Sequence, residues 1–184
     1  MKRFKPLMDF KGDSFLSTII AKLSTVTDSV YIVTGFRSDE ISEYVASAGL
    51  RSDNIKLVRN RNYDRGMLTS LKAGISALEH TDWILYHFVD QPHLPLSFYQ
   101  GFRSQINETK TWIQPRYQNK NGHPILINKA LFKPITGLPD TASLRTLDQS
   151  VSFRKTFWDC PYPHILKDFD TPSDVLSAEI ENMK

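Results

Sequence analysis

The sequence has a single cysteine, Cys160, so no intrachain disulfide can staple the fold and no cysteine cluster can hold a metal. It has no run approaching the roughly 18 apolar residues of a membrane helix. Its first residues, MKRFKPLMDFKGDSF, are positively charged but lack the apolar core of a secretory signal. The expectation is a cytoplasmic protein that does not engage membranes. Repeats and low-complexity linkers are also missing, and the one internal shift in composition is the loop-like ITGLPDTAS at 135–143. Clustered positive charge is absent too. The formal net charge is only +3, which suits an anionic small molecule and falls short of a nucleic-acid binder.

What is present is an ordinary globular composition, 40% hydrophobic and 23% charged over 184 residues. That length supports one full core, so a single domain spanning 1–184 is expected. Strand-like and helix-like segments alternate. SVYIVTG (29–35) is a β-branched run closed by Gly35, and SDEISEYVASAG (38–49) is a helix with Ser38 as its candidate N-cap and Gly49 as its stop. IKLVRN (55–60) is a second strand. GMLTSLKAGISALEH (66–80) sets Leu68, Leu71, Ile75 and Leu78 on one helical face, and WILYHFV (83–89) reads as a third strand, buried on both faces. This alternation predicts an α/β three-layer sandwich with a mostly parallel sheet. Ligands of such sheets bind beyond the carboxyl ends of the strands. Asp90 stands at one of those ends, where it serves either as a site carboxylate or as a turn residue.

Four segments together resemble the molybdenum cofactor cytidylyltransferases, within the MobA-like NTP transferases. They are NRNYDRGMLTSLKAG (60–74), VDQP (89–92), NGHPILIN (121–128) and DFDTPSDV (168–175), in the family's order and at its spacing. Val89 stands where the family has glycine. The resemblance implies a Rossmann-like nucleotidyltransferase fold. It also implies transfer of a nucleoside monophosphate, CMP favoured, from a triphosphate to a phosphorylated pterin, with release of pyrophosphate. A molybdoenzyme or its chaperone is a possible further partner.

The resemblance also assigns roles to residues. Asp90 and Asp170 hold magnesium, which takes one or two carboxylates together with phosphate oxygens and water. Local sequence leaves Asp170 equally suited to cap a last helix beginning TPSDV. Gly66 opens a helix whose free N–H groups and dipole face the nucleotide, and Asn60 and Ser70 hydrogen-bond the base. Gln91, Gly122 and His123 line the acceptor side, Gly122 allowing close approach. The other histidines, His80, His87, His93 and His164, show no metal-ligand spacing and carry no assigned role.

The front of the chain departs from the family. Members begin with a strand and a glycine-rich phosphate loop, whereas this sequence matches only from Met1, with Lys2 at a glycine position and Lys5 at the family's lysine. Leu7, Gly12 and Leu16 fall at later family positions. Lys5 would balance charge on the α-phosphate. The expectations are that about 10 to 15 residues precede Met1, from the length of a strand and loop, that the first strand of the sheet is missing, and that these 184 residues catalyse poorly. Two alternatives stay open. One is a non-catalytic binding or accessory relative. The other is a nucleotidyltransferase acting on a sugar phosphate or an isoprenoid precursor, against which Gln91 and the Gly-His-Pro motif argue.

Overall fold

Hydrophobic period sets the elements of the chain, and the computed structural model describes residues 4–149, 153–171 and 173–175. A short hairpin comes first, β1 (Asp9–Phe10) and β2 (Asp13–Ser14), turning through Lys11 and Gly12, both at positive φ. Helix α1 (Phe15–Leu23) follows, its start capped by the Ser14 hydroxyl, which accepts from the Ser17 N–H at 2.9 Å. Next come β3 (Val30–Thr34), α2 (Ser38–Ser47), β4 (Ile55–Arg59), α3 (Met67–Ala77) and β5 (Trp83–Tyr86). The second half supplies α4 (Leu96–Arg103), β6 (Trp112–Tyr117), β7 (Lys120–Asn121), β8 (Ile125–Asn128), α5 (Phe132–Gly137) and β9 (Lys155–Asp159).

Three layers result. On one face, Leu16 and Ile20 of α1, Ile41 and Val45 of α2, and Phe98 and Phe102 of α4 pack with Val30 and Ile32 of β3. On the other face, Leu68, Leu71 and Ile75 of α3 meet Ile125 and Ile127 of β8 and Ile135 of α5. Burying each of these larger side chains contributes roughly 1.5–3 kcal/mol. A third cluster, Met8, Phe10, Phe15, Phe169 and Val175, sits below the loop that follows β5.

The α/β sandwich is as expected, but its sheet is mixed. β3 and β4 pair in parallel, as do β6 and β9, while β8 is antiparallel to both β5 and β6. Connection length explains this. Helical crossovers join β3 to β4, whereas β6 turns into β7 through two residues, Gln118 and Asn119, both at positive φ. A two-residue turn of that kind returns the chain antiparallel. The sheet is also in two pieces, β3–β4 and the five strands β5, β8, β6, β7 and β9.

Local boundaries shift as well. Ser38 is the first helical residue and not the cap; Arg37 precedes it at φ 55°, and the Ser38 hydroxyl is engaged by Thr34 at 2.8 Å. Helix α3 stops at Ala77, short of the predicted 80, because Leu78 is already extended. β5 ends at Tyr86, and all four of its residues are half-buried rather than buried on both faces. Its outer edge opens on the gap between the two pieces of sheet. The loop-like 135–143 begins inside α5, and most of the predicted last helix lies outside the described residues.

Candidate functional site

After Tyr86 the chain leaves β5 and reaches Asp90, which is tied to a segment far along the sequence. The Asp90 carbonyl accepts from the Phe169 N–H at 2.8 Å. Gln91 is buried, and its amide donates to the Asp168 carboxylate at 2.9 Å and the Ile165 carbonyl at 3.3 Å. Phe169 fills the cluster with Phe10 and Phe15 and stacks on His93 at 4.2 Å. Lys22 of α1 holds the same loop from the other side, donating to the Pro92 and Leu94 carbonyls at 2.6 and 2.9 Å. The VDQP and DFD motifs are thus one packed unit.

That packing directs three charges to one place. The Lys5 ammonium pairs with the Asp170 carboxylate and lies 3.9 Å from Oδ2 of Asp90. Asp170 therefore faces Lys5, and Asp174 takes the local capping role by accepting from the Asp170 and Thr171 N–H groups. Oδ1 of Asp90 is buried with no hydrogen-bond partner among the described residues. Burial, and then the nearby Asp168 carboxylate, raise the Asp90 pKa, while Lys5 pulls it down. Burial works against the Lys5 charge, but Asp170 and Asp90 more than offset it and leave its pKa raised. No group of three or more His, Cys, Asp or Glu side chains stands close enough to hold an ion among the described residues. The donor set here is two carboxylates aimed at one point, one with an orphaned buried oxygen. It suits a hard divalent cation that draws its remaining ligands from phosphate and water.

The 60–66 loop lies at the carboxyl end of β3, where the Asn60 N–H bonds the Thr34 carbonyl at 2.7 Å and Tyr63 packs over Gly35. Asn60 is buried, donating to Thr69 and Ser70 hydroxyls at 2.8 and 3.1 Å and accepting from the Asn62 N–H at 2.9 Å. Its role is to brace the loop and to orient Ser70, whose hydroxyl keeps its own proton to donate. Gly66 directly precedes α3 at φ +130°, a conformation that side chains rarely adopt. Phe4 packs edge-on against Phe36 at 6.3 Å and lies under the Arg37 guanidinium at 4.4 Å, which fixes Lys5 between the ends of β3 and β5.

Of the acceptor-side residues, Gly122 and Gln91 both contact the 163–168 segment. Gly122 does allow a close approach, but to the chain itself: a Cβ there would lie 2.5 Å from the Ile165 carbonyl oxygen. Gly122→Ala should therefore cost about 1–3 kcal/mol of stability, by displacing the 163–168 segment. Urea unfolding checks this, and an unchanged midpoint would show that the segment yields freely. The Gln91 amide nitrogen is likewise engaged internally, while its Oε1 is buried without a partner among the described residues. His123 follows through a cis bond to Pro124, and its ring centroid lies 4.8 Å from that of Phe88. Its Nδ1 is buried without a partner among the described residues, and burial lowers its pKa against the pull of Asp168.

Sequence reasoning missed Asp168, which anchors Gln91 and repels charge on Asp90, and Phe169, which clamps the two motifs together. Both lie inside the quoted DFD motif. The signal for Asp168 was its spacing of two from Asp170, and for Phe169 its apolar ring between two acids.

Comparison with known proteins gives a consistent result. Residues 1–155 match the model of the MobA-like NTP transferase domain. The molybdenum cofactor cytidylyltransferase of Escherichia coli (strain K12) is 27% identical over 184 aligned residues, covering 97% of this chain and 88% of that protein. A nucleotidyl transferase from Methanothermobacter thermautotroptrophicus superposes with TM-score 0.76 at 21% identity, over 97% of this chain and 85% of that one. The 4-diphosphocytidyl-2C-methyl-D-erythritolsynthase of Anaerococcus prevotii gives 0.72 at 12% identity, over 98% and 91%. At such identities the two structures establish the fold alone.

Proposed function

The chain belongs to the MobA-like NTP transferase domain family, and from that premise we propose that it transfers CMP from CTP to a phosphorylated pterin acceptor. In the reaction an acceptor phosphate oxygen bonds to the α-phosphorus. The bond from that phosphorus to the oxygen bridging to the β-phosphate breaks, and pyrophosphate leaves with the electron pair. The observation that carries the reading is the convergence of Lys5, Asp90 and Asp170 beyond the end of β5, with the orphaned buried oxygen on Asp90.

Asp90 and Asp170 would hold a magnesium ion. When bound, the ion neutralises charge accumulating on the phosphates. Lys5 sets a positive charge beside them, effective because it is already positioned when charge develops. Ser70, oriented by Asn60, offers a hydroxyl toward the nucleotide. His123, whose pKa burial lowers, would stand on the acceptor side, its Nδ1 buried without a partner among the described residues.

The cytidylyl assignment is supported by the Escherichia coli relative, and the pterin acceptor by its name. It is tested by pyrophosphate release with CTP, GTP and ATP in turn, each with a phosphorylated pterin and with a sugar phosphate or isoprenoid-precursor phosphate as acceptor. CTP with the pterin should be the fastest pair. Equal or better use of GTP would overturn the choice of nucleotide, and preference for another acceptor would overturn the choice of substrate.

A further inference from the structure

β9 (Lys155–Asp159) lies at an outer edge of the five-stranded piece and pairs with β6 alone among the described residues. Its register shows which backbone groups face outward. The Cys160 N–H bonds the Arg116 carbonyl at 2.9 Å and the Arg154 N–H bonds the Thr111 hydroxyl at 2.8 Å, so residues 154, 156, 158 and 160 turn their backbone to β6. The N–H and C=O groups of Lys155, Phe157 and Asp159 point the other way. None of the five strand residues is buried, and Phe157 is 41% exposed. Such an edge is a template for a further strand.

The strand reads Lys-Thr-Phe-Trp-Asp, with opposite charges at its two ends. Both charges are held in place. The Lys155 ammonium lies 5.9 and 5.7 Å from the Trp112 and Phe157 ring centroids. Arg116 grips the Asp159 carboxylate with two bonds of 2.7 and 2.8 Å while leaving that side chain 69% exposed. An antiparallel copy of the strand, related by a two-fold axis through Phe157, would set Lys155 opposite Asp159 of the second copy and give every outward N–H an outward carbonyl. Moving the axis one residue either way sets a charge against Phe157, and moving it two sets Lys155 or Asp159 against its own copy. A lysine on an edge ordinarily repels a second copy, and this one register makes it a contact instead. The outer strand of the other piece, β4, carries Lys56 and Arg59 and no acid, so no register of it offers the same match.

We propose that β9 is a self-association edge, pairing antiparallel with β9 of a second copy and joining two five-stranded pieces into one continuous sheet. On one face Phe157 meets its own copy at the axis, between the two pairs of Lys155 and Asp159. On the other face Trp158, stacked on Phe102 with ring centroids 5.5 Å apart, stands opposite Thr156. Aromatic, aromatic with β-branched, and opposite-charge pairs are the cross-strand contacts that stabilise a sheet. β5, β6 and β9 run in the same direction, so the two sites beyond their carboxyl ends open at opposite ends of the dimer.

The test does not involve catalysis, so it stands apart from the proposed reaction. The mass of the 184-residue protein is followed by sedimentation as its concentration rises, with amide exchange read along β9. The expected result is a monomer–dimer equilibrium in which exchange at Lys155, Phe157 and Asp159 slows as the dimer forms, while Thr156 and Trp158 are protected throughout. Lys155→Asp and Asp159→Lys each set like charges opposite one another twice, by symmetry, and should weaken the dimer about tenfold or more. Mixed in equal amounts, the two variants bring opposite charges together again and should pair with each other. Phe157→Pro removes an outward N–H without touching the bonds to β6, and should leave a monomer whose fold thermal melting confirms. A protein that stays monomeric at every concentration would overturn the proposal. So would a dimer that the charge variants leave unchanged, or variants that are monomeric alone and fail to pair when mixed.

Discussion

Asp90→Asn is expected to lower turnover about 10²- to 10³-fold, the usual cost of removing one preorganised group that stabilises transition-state charge, while leaving the protein as stable as before or slightly more so. The two halves of that result have one cause. Asp90 is held with Oδ1 buried and unpartnered, and burial raises its pKa, so in the folded protein its charge is a burden that asparagine removes. Only a ligand that needs the charge makes the carboxylate worth keeping. Steady-state kinetics beside thermal unfolding in magnesium-free buffer would show the split. A melting temperature several degrees lower would mark Asp90 as a structural residue, and activity within about threefold of the parent would remove it from the mechanism.

The second large effect is expected at Lys5. Lys5→Ala should reduce kcat by about 10²-fold or more, since a fixed positive charge beside the transferring phosphate is lost. The cost in stability should stay under about 1 kcal/mol, because the pair with Asp170 is largely open to solvent, that carboxylate side chain being 69% exposed. Lys5→Arg keeps the charge and should recover part of the rate. Kinetics of the three proteins at saturating nucleotide decide the matter. A rise in KM with kcat unchanged would assign Lys5 to ground-state binding, and equal rates in all three would leave the ion pair without a catalytic role.

Much of this was legible before any tertiary contact was known. The β-branched run expected at 29–35 and the helical faces of α2 and α3 follow from period, and Asp90 follows the strand expected at 83–89, of which 83–86 forms β5. The motifs around Asp90 and Asp170 pointed to one shared site, and the two carboxylates do face the same ammonium. Gly66 was expected to open a helix and does, because a backbone at φ +130° requires a residue without a side chain.

Other features depended on which distant segment arrives beside a residue, and local spacing carries no record of that. Asn60 looks the same in sequence whether it meets a base or, as here, the hydroxyls of Thr69 and Ser70. Gly122 would accept a ligand as readily as it accepts the Ile165 carbonyl, and Gln91 would reach an acceptor as readily as it reaches Asp168. The mixed sheet turned on a two-residue turn at Gln118 and Asn119 and on the return of β8 between β5 and β6. By itself the sequence determined the elements, their buried faces and the chemical types gathered at the strand ends, because these depend on short-range sterics and on period. Only the tertiary structure decided which polar groups are consumed in holding loops and which remain for a ligand, because each depends on backbone brought together from distant parts of the chain.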